Sequence, residues 1–166
     1  VPHIPHLTLH VRPAAILAGP VVILRGKAIP TLTVSPAALA VPFPLSFEEL
    51  AAELETWPRL YFEPDGSFVW TGKWSTADQT DTVEPAVAVE TTETATAARG
   101  AGREWQLNGQ VFDREGKLLY VELRGACPTE EWTRLLRCLG WPETALIAQL
   151  LREAVFVEAG VWNDER

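Results

Sequence analysis

The run Arg103-Glu104-Trp105-Gln106-Leu107-Asn108-Gly109-Gln110-Val111-Phe112, then Asp113-Arg114-Glu115-Gly116, then Lys117-Leu118-Leu119-Tyr120-Val121-Glu122-Leu123-Arg124, decides the fold class. Trp105, Leu107 and Val111 alternate with Gln106, Asn108 and Gln110. Leu119, Val121 and Leu123 likewise alternate with Tyr120, Glu122 and Arg124. A period of two puts each set on its own side of a strand, so this is a hairpin with one apolar face and one polar face. Asn108-Gly109 has the composition of a tight turn, but the alternation resumes in phase at Val111. A continuous strand with a bulge at Gly109 is therefore predicted. Sheets that alternate in this way are antiparallel and covered on a single face.

A second hairpin lies upstream. Leu60 to Glu63 and Phe68 to Trp70 flank Glu-Pro-Asp-Gly-Ser, where Pro64 presets a turn and Gly66 supplies a positive φ. Phe68, Trp70 and Trp74 then recur at even spacing with Gly72 among them, giving an aromatic face. Between the hairpins, residues 75–98 hold seven threonines, five acids, no basic residue and no period. Such a stretch reads as a flexible acidic insertion.

Helices bracket these strands. Ser46 with Glu49 three residues on forms a capping box, and Leu45 with Leu50 has the spacing of a hydrophobic staple. Phe47, Leu50, Ala51 and Leu54 share one face, and Trp57-Pro58 ends the element, so a helix is predicted over 46–56. Downstream, Pro128 and the acids Glu130 and Glu131 open a helix bearing Trp132, Leu135, Leu136 and Leu139 on one face, with Gly140 closing it. A further helix is predicted from Pro142 to Glu153 on Leu146, Ile147, Leu150 and Leu151. Val155 to Val157 reads as a short closing strand, and 160–166 as a frayed end. The expected fold class is α+β: an antiparallel sheet of four to five strands covered on one face by about three helices.

The first acidic residue is Glu48. The 47 residues before it carry Arg12, Arg25 and Lys27 and no carboxylate, while the other 119 carry all 22 acids. The net charge of −8 thus divides into +3 before this point and −11 after it. Residues 1–44 also contain eight prolines, which exclude any long helix. The reading is a domain over 45–159, preceded by an extended or poorly ordered arm. The arm has two alternative readings: translated sequence upstream of the true start, or a targeting peptide ending near Ala38-Leu39-Ala40, which would mean export. A chain starting at Leu45 is expected to fold as well as the whole.

The function classes narrow by exclusion. An acidic body repels a phosphate backbone, and the longest apolar run, Pro13 to Leu24, falls short of the ~20 residues that span a bilayer. Neither nucleic acid nor membrane is an expected partner. Cys127 and Cys138 would lie about 16 Å apart on a helix, too far to bridge, and free thiols fit a cytoplasmic location. A catalytic triad needs a histidine base, and His3, His6 and His10 all fall in the arm, where they read as solvated. No nucleotide or metal motif is present, and no cofactor is expected. Of the seven tryptophans, most are expected in the core.

What remains is the polar sheet face. Tyr61, Thr71, Lys73, Gln106, Asn108, Gln110, Tyr120, Glu122 and Arg124 would share it. The expected function is therefore non-enzymatic binding of a protein or small ligand through this face, with a sheet edge offering a route to a homodimer. The alternative is a small enzyme using Tyr61 or Tyr120 with carboxylates such as Glu63 paired with Glu122, or Glu104. Pocket geometry separates the two: an enzyme needs an enclosed cleft with converging carboxylates, a binding module an open face.

Overall fold

The computed structural model describes residues 3–75 and 103–164. In chain order the elements are β1 His3–Val11, β2 Leu17–Leu24, β3 Lys27–Thr33, a 3-10 turn Pro36–Ala40, α1 Phe47–Leu54, β4 Leu60–Phe62, β5 Ser67–Lys73, β6 Glu104–Arg114, β7 Lys117–Ala126, α2 Thr129–Cys138, β8 Leu146–Leu150, β9 Val155–Glu158 and a 3-10 turn Ala159–Asp164. The strands make one antiparallel sheet of nine, in the order β2-β3-β9-β8-β1-β7-β6-β5-β4.

The two hairpins and two of the helices form as their sequences dictate. The Ser46 hydroxyl accepts from the Glu49 N–H, and the Glu49 carboxylate accepts from the Ser46 N–H, both at 3.1 Å, completing the capping box of α1. Glu115 and Gly116, with φ of 54° and 80°, make the two-residue turn between β6 and β7. Gly109 is not a bulge: it pairs in register with Phe68 and Leu123, and the irregularity falls between Phe112 and Asp113. Glycine is needed there for a different reason. The Phe68 ring lies across the strand, and a Cβ on Gly109 would overlap it. Gly72 is covered in the same way by the Trp105 indole.

The expected sheet of four to five strands under about three helices is overturned: among the described residues there are nine strands and two α-helices. Two stretches make the difference. Residues 146–150, expected as a helix, form β8. All but Gln149 are buried, and a short apolar run covered on both faces cannot be told from a helix by period.

The larger difference is the proline-rich segment, expected as an arm, which supplies β1, β2 and β3. Prolines exclude helices there but not strands, provided that each sits where no ladder N–H is required. Pro5 falls at the irregularity of β1 between Ile4 and Leu7, and Pro20 at that of β2 between Ala18 and Val21. β1 lies mid-sheet, paired to β7 on one side and β8 on the other. Residues Leu7 to Val11 are all buried, so both faces of the strand are covered. A strand in that position has no room for a carboxylate, which accounts for the absence of acids in β1.

Leu7, Leu9 and Val11 share a face with Val121, Leu123, Leu146, Ala148 and Leu150 by register. This face belongs to the same core cluster as Leu50 and Leu54 of α1 and Trp132, Leu135, Leu136 and Leu139 of α2. Trp57, Trp70, Trp105 and Trp132 are buried, in accord with the expected role of the tryptophans. The threonine-rich insertion, apart from Ser75, lies outside the described residues. The stretch from Gly160, expected to fray, continues the closing turn to Asp164. Among the described residues no helix is long and apolar enough to cross a membrane.

Candidate functional site

Register confirms that the residues of the polar face share one side. Tyr61 lies opposite Val69, Val69 opposite Asn108, and Asn108 opposite Arg124. Ser67, Gln110 and Glu122 form the next row. Lys73 faces Glu104 and Thr71 faces Gln106 at the end of β5, while Tyr120 pairs with Phe112 at the other end. Much of this face is already spoken for. The Gln106 amide donates to Asn108 Oδ1 at 2.9 Å, and the Gln110 amide donates to the Asp65 carbonyl at 2.8 Å, pinning the β4–β5 turn. Tyr61, 66% exposed, projects from the short edge strand. Glu63 and Glu122 do not come together, because β5 and β6 lie between their strands.

The histidines change the reading of this face. With β1 beside β7, His6 Nε2 lies 2.6 Å from Glu122 Oε1, and Thr8 falls opposite Glu122 in register. His10 follows on the same side, its ring stacked 5.5 Å from that of Tyr120, which in turn stacks on Phe112 at 4.4 Å. Thr8 Oγ1 and His10 Nε2 are 2.8 Å apart, the separation of a nucleophile and its base. Their surroundings argue against that use. Thr8 is 7% exposed and His10 6%, so neither is open to a substrate, and burial pushes the His10 pKa down to about 4, leaving a poor base. The other ring nitrogen, Nδ1, is buried with no hydrogen-bond partner. Donation from Nε2–H to Thr8 Oγ1 leaves only a lone pair unmet on Nδ1, the cheaper of the two neutral arrangements.

Sequence reasoning overlooked a second location. An open cleft of about 950 Å³ is lined by residues of β5 and α2, together with Pro58 and Arg59. Arg59, Lys73, Arg134 and Arg137 line it together with Trp70, Trp105 and Trp141, and Glu130 and Glu131 join them from α2. Trp70 meets Trp105 edge-on at 5.2 Å and packs on Trp57, behind the lining, with centroids 4.9 Å apart. The Arg134 guanidinium lies 4.4 Å over the Trp57 ring and 3.8 Å from Glu131, so it is held in place by stacking as well as by charge. Lys73 belongs to both the polar face and the cleft. Ser75 also lines the cleft, and the Trp74 N–H donates to the Arg103 carbonyl at 2.9 Å, so the chain leaves and re-enters the sheet at this end.

Other titratable groups do not build a site. Burial pushes the Cys127 thiol up to about 12 and the Cys138 thiol up to about 11, so neither is a thiolate at neutral pH. Hydrogen bonds from the Ser67 hydroxyl and N–H hold Asp65 below the usual carboxylate range, but in an exposed turn that does not line the cleft. Among the described residues no group of three or more His, Cys, Asp or Glu could hold a metal ion.

The cleft left one trace in the sequence: Arg134 and Arg137, three apart, lie off the Trp132-Leu135-Leu136-Leu139 stripe of their helix. Arg59 and Lys73 join them only through the tertiary fold. Comparison with protein-family models, curated proteins and solved structures found no match to this chain.

Proposed function

We propose that the chain is a recognition module without catalytic chemistry, and that it binds an anionic ligand carrying a planar apolar group in the cleft lined by β5 and α2. One observation carries this reading: in a chain of net charge −8, four cations and three tryptophans line a single open cleft. Against its two carboxylates, Glu130 and Glu131, the lining has a positive balance, opposite in sign to the whole molecule. Guanidinium groups bind carboxylate, sulfonate or phosphate in a planar fork, and Trp141, the one partly exposed indole of the three, offers a flat apolar contact alongside the buried Trp70 and Trp105. The polar sheet face is the weaker candidate, since its amides are paired with each other or with backbone. A carboxylate–tyrosine enzyme is disfavoured by the separation of Glu63 from Glu122.

The test is titration with 1-naphthalenesulfonate, followed by tryptophan fluorescence and by indole N–H shifts. Saturable one-site binding is expected, with the largest indole shift at Trp141, the partly exposed one of the three lining tryptophans. Lys73→Ala and Arg137→Ala should each weaken it by about tenfold, the equivalent of one charge-assisted hydrogen bond. Equal binding of neutral 1-naphthalenemethanol, or indole shifts confined to other tryptophans, would refute the reading.

A further inference from the structure

The sheet ends on one side at β2, Leu17-Ala18-Gly19-Pro20-Val21-Val22-Ile23-Leu24, a strand with no charged side chain. Leu17, Val21 and Ile23 are 70%, 63% and 68% exposed. By register Val21 and Ile23 share one face, while Leu17, across the irregularity, lies on the other, so Val21 and Ile23 form the exposed apolar patch of this edge. Free edges are normally guarded by charge, proline or a bulge. Here Pro20 and the irregularity between Ala18 and Val21 guard the first half of the strand. Val21 to Leu24 has no such guard, up to the tight turn at Arg25 and Gly26. The opposite edge, β4, is three residues long and offers far less.

We infer that β2 pairs with β2 of a second copy, antiparallel across a two-fold axis, extending the sheet through both molecules. The strand suits its own copy. In an antiparallel pair related by a two-fold axis normal to the sheet, one residue position faces itself, and opposed residues share a face. With Val22 facing Val22, Val21 of each copy meets Ile23 of the other, so the two most exposed side chains of the unguarded half cover one another. Pro20, which lacks an N–H, then falls opposite Leu24.

Charge favours the same partner. Residues 17–24 bring no carboxylate of their own to a contact between two copies of a −8 chain. Arg25 and Lys27 lie beyond the paired positions and do not face each other. A contact of one strand per copy sits at the small end of specific interfaces, and its affinity falls in the micromolar range.

Sedimentation velocity on the full chain from about 1 to 200 μM tests this. A reversible monomer–dimer equilibrium is expected, with Ile23→Lys weakening it at least tenfold while the far-UV spectrum and Tm stay unchanged. The register has its own test. Under mild oxidation an equimolar mixture of Val21→Cys and Ile23→Cys chains should cross-link faster than either alone, because opposed Cα atoms lie at roughly 5 Å. Monomer throughout the range, a dimer indifferent to Ile23→Lys, open-ended growth, or no preference for the mixed pair would each overturn the proposal.

Discussion

A chain that starts at Leu45 is expected to lose cooperative unfolding altogether. It lacks β1, whose Ile4, Leu7 and Leu9 are fully buried and whose Val11 is 8% exposed. At about 1.5–3 kcal/mol for each buried aliphatic side chain, these four represent roughly 6–12 kcal/mol, comparable with the 5–15 kcal/mol that stabilises a whole domain. The topology makes the loss worse, since β1 is the strand that joins β7 to β8. Without it β8 and β9 have no partner on that side, and β7 becomes a long, exposed edge open to aggregation. Near-UV circular dichroism and a thermal melt read the outcome directly. A sharp transition within a few degrees of that of the full chain would show that β1 is dispensable.

The second large effect is a loss of stability on mild acidification, set by His10. Its folded pKa of about 4 lies below the ordinary 6.5, so between these values the unfolded chain binds the proton and the folded chain does not. Stability from this residue is complete above pH 6.5 and falls as the pH drops toward 4. The full shift is worth about 3 kcal/mol, and about 2 kcal/mol of it is gone at pH 5. Protonation would also place an N–H on buried Nδ1 with nothing to accept it. For a chain of this length Tm should drop by roughly 4–8 °C between pH 7 and pH 5 from this residue alone. His10→Phe keeps a ring against Tyr120 and removes the titration, so its Tm should fall less over the same interval. An equal fall in the variant would place the pH dependence elsewhere.

Half of the sheet was legible in the sequence, for a physical reason. β4 to β7 have one face on the core and one toward solvent, so their side chains alternate and their turns carry Gly66 and Gly116 at positive φ. β1 and β8 have both faces covered, so the alternation that marks a strand is missing. Leu146 to Leu150 then satisfies a helical spacing equally well. The prolines of the first segment compounded this, because their positions at irregularities become visible only once the pairing is known. β1 finds β7 across more than a hundred residues, as Thr8 opposite Glu122 illustrates, and no local pattern encodes such a contact.

The candidate site divides along the same line. That Gln106, Asn108, Gln110, Glu122 and Arg124 share a face followed from the period of two. The arrival of His6 and His10 beside Glu122 and Tyr120 did not, because it depends on where β1 inserts. The cleft was hidden for a related reason: Arg59, Lys73, Arg134 and Arg137 are scattered along the chain, and their convergence is purely tertiary.

The central claim is that β1 is an interior strand of a single nine-stranded sheet, and native-state hydrogen exchange tests it most directly. The amides of Thr8, Leu9 and His10 lie between β7 and β8, where they should exchange only through global unfolding, as slowly as those of Val121 and Leu123 in β7. Exchange of the β1 amides at the rate of an open chain, with β7 still protected, would contradict the account.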